Sequence, residues 1–399
     1  MQHFFDDEGM QFETLIALGQ THHGMADVGE VLTTVAGIAE GDRPGWVAAW
    51  SALAERLEAE GDAADAAGHP ISARDLWLRA SNYWNKASFL ADATDDEGAF
   101  DRLWERHRAL WDRAAPRLDP PAVPVRIPYE GVELEGYLWR PADDGVARRT
   151  LVLNNGSDGP VTDMWSMGGA DALARGWNVL TFDGPGQNAT LHRLGLGFRP
   201  DWEAVIGPVL DWLAAQPGVD GERVALMGDS QGGYWVPRAA AFEPRLAAIV
   251  ADPGVTDVST SWNAHLPPDM AAALDDPARK DDFDAGMAFA LADPDLGYTL
   301  KVRSRPFRIA SFWELYRSLR DYRLDAETIG RITCPTAVTS PDHEQFWPDQ
   351  AGELYEALTC DKVLLRFTEA EGASWHCEPV ALALRNGRIL DWLDEVVPA

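Results

Sequence analysis

The chain has 399 residues, 46% hydrophobic and 25% charged; that is globular composition at a length beyond one compact core, so a large domain with an accessory one is expected. Its 64 acidic and 34 basic residues leave a formal charge of −30, which repels phosphate backbones and anionic lipid and argues against nucleic acid or a membrane as partner. No stretch approaches the ~18 unbroken apolar residues of a membrane span.

The N-terminus has no basic segment leading into an apolar run, so no signal peptide is read there. Residues 1–117 are expected to form a helical N-terminal domain. Gly45–Leu57 and Ser72–Ala91 place apolar residues at helical spacing, with Ser72 read as an N-cap. Trp77 and Trp84 lie seven apart on one face and are expected to pack helix on helix.

The texture changes near Pro116. Asp119-Pro120-Pro121-Ala122-Val123-Pro124 reads as a linker, and residues 118–399 as the catalytic domain. Val125–Tyr129 and Val132–Leu138, split by Glu130-Gly131, predict a β-hairpin. Short apolar runs then alternate with helical segments: Thr150–Asn154, Trp177–Asp183, Arg223–Met227, Ala247–Asp252, Thr336–Thr339 and Val363–Phe367. That alternation predicts the α/β class, a mostly parallel, doubly wound sheet. From about 254 to 333 no strand is evident and aromatics recur at helical spacing. A helical cap insertion is expected there, since structureless loops of that length are rare.

Chemistry concentrates at Arg223–Trp235, which contains Gly228-Asp229-Ser230-Gln231-Gly232. An apolar strand running into G-x-S-x-G, with a small-residue helix after it, is the context of a nucleophile elbow. The sharp turn forces Ser230 into strained backbone geometry and demands small neighbours, hence Gly228 and Gly232. The Gln231 N–H is then an oxyanion donor. His376, after the last strand and before the C-terminal helix, is the base, in the chain order nucleophile, acid, histidine. The acid should follow the penultimate strand. Counting four back from Pro348 gives Glu344; Asp342, nearer the strand end, is the alternative, and either would orient the imidazole. The second oxyanion donor is expected from Asn154–Pro160, at the Ser157 N–H. Asp158 beside it is either a turn former or a group that positions or protonates the substrate. Asp183 is read as a brace for loop amides. His192 and His265 are two more histidines that could line the pocket.

Asn155–Gly159, Phe182–Gln187, Arg199–Val209, Gly228–Arg238, Gln345–Pro348 and Gly372–Cys377 together resemble one group of α/β-hydrolases, as does Arg79–Trp84 in the helical region. The group contains the bacterial 2,6-dihydroxypseudooxynicotine hydrolase and the fungal hydrolases that shorten heptaketide naphthopyrones. The resemblance implies the α/β-hydrolase fold, with Ser230, His376 and an acid at Glu344 or Asp342. In the pseudooxynicotine enzyme a glutamate after the oxyanion-loop glycines assists C–C cleavage; by loop position the resemblance puts Asp158 in that place. The chain departs from the pattern at Asn155-Gly156 (usually Gly-Gly), at Asn188 (commonly Gly) and in having a glutamate as acid.

The expected function is therefore a serine hydrolase acting on a small-molecule carbonyl compound. Its bond is an ester or a C–C bond of retro-Claisen type in an aromatic or polyketide-like substrate; acyl transfer, thioester hydrolysis and plain esterase activity are the alternatives on the same residues. The 17 tryptophans suggest an aromatic-lined wall. No cofactor and no metal are implied. Cys334, Cys360 and Cys377, few and without ligand spacing, suit a reducing cytoplasm. A homodimer is left open.

Overall fold

The computed structural model describes residues 3–94 and 96–399. Five helices come first: α1 (Glu8–Gly19), α2 (Val28–Val35), α3 (Arg43–Ala66), α4 (Pro70–Phe89) and α5 (Ala99–Ala114). α4 starts on Pro70, with His69 in the capping position and Ser72 already inside the helix. Proline's fixed φ and missing N–H suit a first helical turn, and this displaces the expected serine cap. Trp77 lies against Gly61 of α3, where a Cβ would come 2.5 Å from the indole ring, and its Nε1 donates to Asp62 at 3.1 Å. Trp84 Nε1 donates to Glu58 at 3.2 Å. The aromatic stripe thus joins α4 to α3.

The eight-stranded sheet has the order β1-β2-β4-β3-β5-β6-β7-β8, from β1 (Val123–Tyr129), β2 (Val132–Trp139), β3 (Arg148–Asn154), β4 (Asn178–Phe182), β5 (Val219–Asp229), β6 (Ala248–Asp252), β7 (Thr336–Pro341) and β8 (Lys362–Phe367). β1 and β2 are antiparallel, joined through Glu130 and Gly131 with φ of 43° and 84°, the left-handed pair that a tight hairpin needs. β2 meets β4 antiparallel, and β3 to β8 run parallel. The fold is an α/β-hydrolase fold.

Alternate residues of the central strands face opposite cores, as the period of two requires. Val152, Leu180, Leu226 and Ile249 join the helices Glu203–Ala214 and Gly232–Ala240 and the segment between β6 and β7. Leu151, Leu153, Val179, Met227 and Val250 join α1 to α5 and the C-terminal helix Leu382–Val396. The N-terminal helices therefore share a hydrophobic core with the sheet. Between β6 and β7 the chain forms short helices, the longest being Lys280–Ala290 and Pro294–Ser304. Among the described residues no helix is long and apolar enough to cross a membrane.

Candidate active site

β5 ends at Asp229 and a helix begins at Gly232. Between them Ser230 takes φ of +58°, a left-handed conformation that costs an L-residue about 1–3 kcal/mol and persists only when its surroundings impose it. They do so here. The Ser230 N–H donates to Asp252 O at 2.6 Å. A Cβ on Gly228 would stand 2.3 Å from Gly232 O, and one on Gly232 2.9 Å from Asn154 O. The glycines of the motif are steric necessities of the turn.

His376 is buried, 4% exposed. Its Nδ1 lies 2.9 Å from both Glu344 oxygens, and its Nε2 has no hydrogen-bond partner. Glu344 also accepts from the N–H of Phe346 at 2.9 Å and of Trp347 at 3.2 Å. Burial alone would raise the Glu344 pKa, but the facing His376 and these hydrogen bonds outweigh it and hold the carboxyl below its ordinary value. Phe346, Trp347 and Phe12 pack on the imidazole, with ring centroids 4.7, 5.7 and 6.4 Å away. The other acid singled out, Asp342, does not touch His376. Its carboxylate accepts from Glu369 N–H at 2.9 Å and its carbonyl from Trp375 N–H at 2.8 Å, so it braces the histidine loop.

Ser230 and His376 open on one cavity of about 1250 Å³, which Asn155, Gly156, Ser157, Asp158, His192 and His265 also line. Further walls come from α1, α4, the helix Pro294–Ser304 and the segments 256–265, 323–329 and 345–350. Gly156 lies directly against the serine: a Cβ there would sit 2.6 Å from Ser230 Cβ and 3.0 Å from Oγ. Asp158 is exposed to the cavity. Burial raises its pKa, against the opposing Arg303 charge and a hydrogen bond from Ser157.

The cavity wall is aromatic, as expected, but tryptophan contributes little to it. Among the lining residues only Trp347 is a tryptophan; the aromatic surface is Phe12, Phe89, Phe100, Tyr298 and Phe346. Large indoles such as Trp46, Trp77, Trp177 and Trp235 fill the cores instead.

The chain matches the family described as Esterase FrsA-like over residues 8–273. It is 31% identical to Hydrolase LUC6 of a Fusarium species, covering 99% of this chain and 98% of the relative. It is 30% identical to the 20-hydroxy-prefusarin hydrolase FUS2 of Gibberella moniliformis, covering 99% and 98%. The chain belongs to the FrsA-like esterase family. The crystal structure of the 2,6-dihydroxy-pseudo-oxynicotine hydrolase shares its fold, with a TM-score of 0.75 at 21% identity over 97% of this chain and 96% of that one. The family resemblance read from the motifs holds, and this FrsA-like protein is an enzyme of the hydrolase class.

Several residues that shape the FrsA-like site were not singled out from the sequence. Gln187 Nε2 donates to Asn155 O at 2.6 Å and Gly156 O at 2.8 Å, while its Oε1 accepts from Gly184 N–H at 2.8 Å. Asn155 Oδ1 accepts the Gly156 N–H at 2.6 Å. Together they set the loop that carries Ser157. The Phe182–Gln187 stretch was a visible signal, but not for which side chain reaches across. Asp183 braces its loop: it accepts from Ala189 N–H at 3.3 Å and Arg108 at 3.2 Å. Under the elbow, buried Arg385 donates to Asp252 at 2.6 Å and Met167 O at 3.0 Å and bonds Asp229. Glu378, two residues past His376, lies 3.5 Å from Arg385 Nε, and burial pushes this carboxyl well above the carboxylate range. Arg385 thus ties the nucleophile strand, the end of β6 and the histidine loop together.

Among the described residues one group has the geometry to hold a cation: His22, His23 and Asp171, with ligand atoms within 4.8 Å of one another. Asp171 already accepts from His23 at 2.8 Å and Asn386 at 2.7 Å, and none of the three lines the cavity.

Proposed function

We propose that Ser230, His376 and Glu344 are a catalytic triad that hydrolyses a carbonyl compound of aromatic or polyketide-like character. The observation that carries this is His376 itself, anchored through Nδ1 to Glu344 with Nε2 unpartnered, in the same cavity as a serine held in the elbow conformation. Glu344 fixes the tautomer that leaves Nε2 free to accept the Ser230 proton. Oγ attacks the carbonyl carbon, and the N–H groups of Gln231 and Ser157 stabilise the oxyanion. The tetrahedral adduct collapses to an acyl-enzyme, its leaving group taking the proton from His376. Water, deprotonated by His376, then releases the acid. A relative and a structurally similar enzyme whose names carry hydroxylated substrates, 20-hydroxy-prefusarin and 2,6-dihydroxy-pseudo-oxynicotine, support the substrate class, as does the Phe/Tyr lining. The three free thiols support a cytoplasmic setting.

Asp158 favours C–C over ester cleavage as the native reaction. A carbanion leaving group needs its developing charge stabilised before His376 protonates it, more than an alkoxide does, and a carboxyl whose pKa is raised can hydrogen-bond the enolate oxygen. One comparison tests both statements, with a p-nitrophenyl ester and an aryl 1,3-diketone assayed on wild type, Ser230→Ala and Asp158→Asn. Ser230→Ala should abolish both turnovers and fluorophosphonate labelling. Asp158→Asn should impair the diketone far more than the ester. Labelling elsewhere than Ser230, with turnover retained in Ser230→Ala, refutes the triad. An equal loss on both substrates in Asp158→Asn, with stability falling too, makes Asp158 a loop brace.

A further inference from the structure

The cavity extends beyond what attack at Ser230 requires, and beside α1 and α4 it meets several buried polar side chains. Gln20, immediately after α1, is 1% exposed and lines the cavity; its amide faces the Asp163 carboxyl, yet neither its nitrogen nor its oxygen makes a hydrogen bond of good geometry. Asp163 stands beside it, 8% exposed, with Oδ1 also unpartnered. Lys86 of α4, 1% exposed, faces the same group, and among the described residues its ammonium donates only to Glu13, at 2.9 Å. Buried amides and carboxyls are normally paired, and one left open at both ends destabilises a fold unless something else fills the vacancy.

The placement of Gln20 is rigid. Its N–H donates to Ile16 O within the helix end, and its carbonyl accepts from Met25 N–H at 3.1 Å. The preceding Gly19 lies so close to the histidine loop that a Cβ would stand 1.6 Å from Pro379 O. Helix α1 is therefore seated backbone to backbone on the segment that carries His376, and Gln20 is held in fixed relation to the reacting centre.

We propose that Gln20, with Lys86 and Asp163 as polar neighbours, forms a second subsite of the cavity. It binds an uncharged part of the substrate that presents a hydrogen-bond donor next to a carbonyl, such as a hydroxy-ketone, an enol-ketone or a lactam edge. The proposal rests on the hydrolase reading for its substrate and adds the group recognised away from the scissile bond. A carboxamide can donate through Nε2 and accept through Oε1 at once, which matches that edge in two parallel hydrogen bonds. The charges beside Gln20 favour an uncharged group over an anion: Lys86 is paired with Glu13 at 2.9 Å, and Asp163 adds negative charge. Its carboxyl, pushed up by burial to about 6, is a donor when protonated and an acceptor when not. One ligand can span both subsites because they open into the same cavity, which exceeds the usual ~300–1,000 Å³ of a small-molecule site.

The test is calorimetric binding of a matched pair of probes to the full-length protein: 2-quinolone, with N–H beside C=O, and 1-methyl-2-quinolone, in which the donor is blocked. Wild type should prefer 2-quinolone by about tenfold, the worth of one well-made buried hydrogen bond. In Gln20→Leu, of similar volume, the preference should fall to about twofold or less. The Tm of that variant should stay level or rise, because the change removes an unpaired buried amide. A preference that survives the substitution overturns the proposal. A lost preference accompanied by a lower Tm overturns it too, making Gln20 a brace for the histidine loop. Binding needs no turnover, so failure of the triad would show in fluorophosphonate labelling and leave this readout intact.

Discussion

Replacing Gly156 by alanine probes the site most directly, because the clash falls on the reacting atoms. The new methyl carbon would lie 2.6 Å from Ser230 Cβ, 2.9 Å from Asp229 O and 3.0 Å from Ser230 Oγ. Carbon–carbon contact settles at about 3.5–4.0 Å, so the loop and the elbow must part by roughly 1 Å. Neither side yields easily. Asn154 of β3 is in parallel register with Gly228 of β5, Ser230 is tied to Asp252 O, and Gln187 holds the carbonyls of Asn155 and Gly156. A displacement of that size at a reacting centre costs about 10²-fold, and losing one oxyanion donor costs about 10²–10³-fold. Steady-state hydrolysis of p-nitrophenyl butyrate should therefore show kcat lowered by about 100-fold or more, close to 3 kcal/mol of transition-state stabilisation, with the smaller change in KM. The sheet itself is untouched, so the far-UV spectrum should be that of wild type. A kcat within threefold of wild type would refute the placement of the oxyanion loop against Ser230.

Two further outcomes follow from the same geometry. Glu344→Gln removes the charge that orients His376 and should cost at least a hundredfold in kcat, whereas Asp342→Asn, which only weakens a cap on Glu369 N–H, should cost less than about threefold; the reverse ranking in parallel kinetics would reassign the acid. Asp163 has its pKa raised by burial from 3.8 to about 6, so the folded protein holds this proton more tightly than the unfolded chain and the group destabilises the fold once pH exceeds both values, by roughly 3 kcal/mol. Asp163→Asn should accordingly raise Tm at pH 7.5, with the gain shrinking as pH falls toward 4; a gain that does not depend on pH in differential scanning calorimetry would refute the assignment.

The sheet and the elbow were legible because their determinants are local. β-rich apolar runs alternate with helical segments, and glycines flank Ser230 at positions where the structure leaves no room for a Cβ. His376 could be singled out by its place after the last strand, and Glu344 by its spacing from Pro348. Strand ends were less legible. β5 starts at Val219, four residues before Arg223, and Trp177 lies just outside β4, since backbone pairing with neighbouring strands, not side-chain pattern, decides where a ladder stops.

The sequence by itself determined which residue types could perform the chemistry, since a nucleophile elbow is a turn of five consecutive residues with its own steric demands. What lies opposite that elbow was decided only by the tertiary structure. Gln20, Lys86, Asp163 and Arg303 are far from Ser230 along the chain, and each is unremarkable in its own segment. Gln20 and Lys86 reach that cavity because α1 to α5 bury their apolar faces on alternate residues of the sheet, and Arg303 because the helix Pro294–Ser304 closes over it from the segment between β6 and β7. The same packing draws the tryptophans into the cores and leaves phenylalanines and Tyr298 to line the cavity: the largest apolar surfaces gain most from leaving water, and which of them is buried depends on neighbours that come together only in the fold.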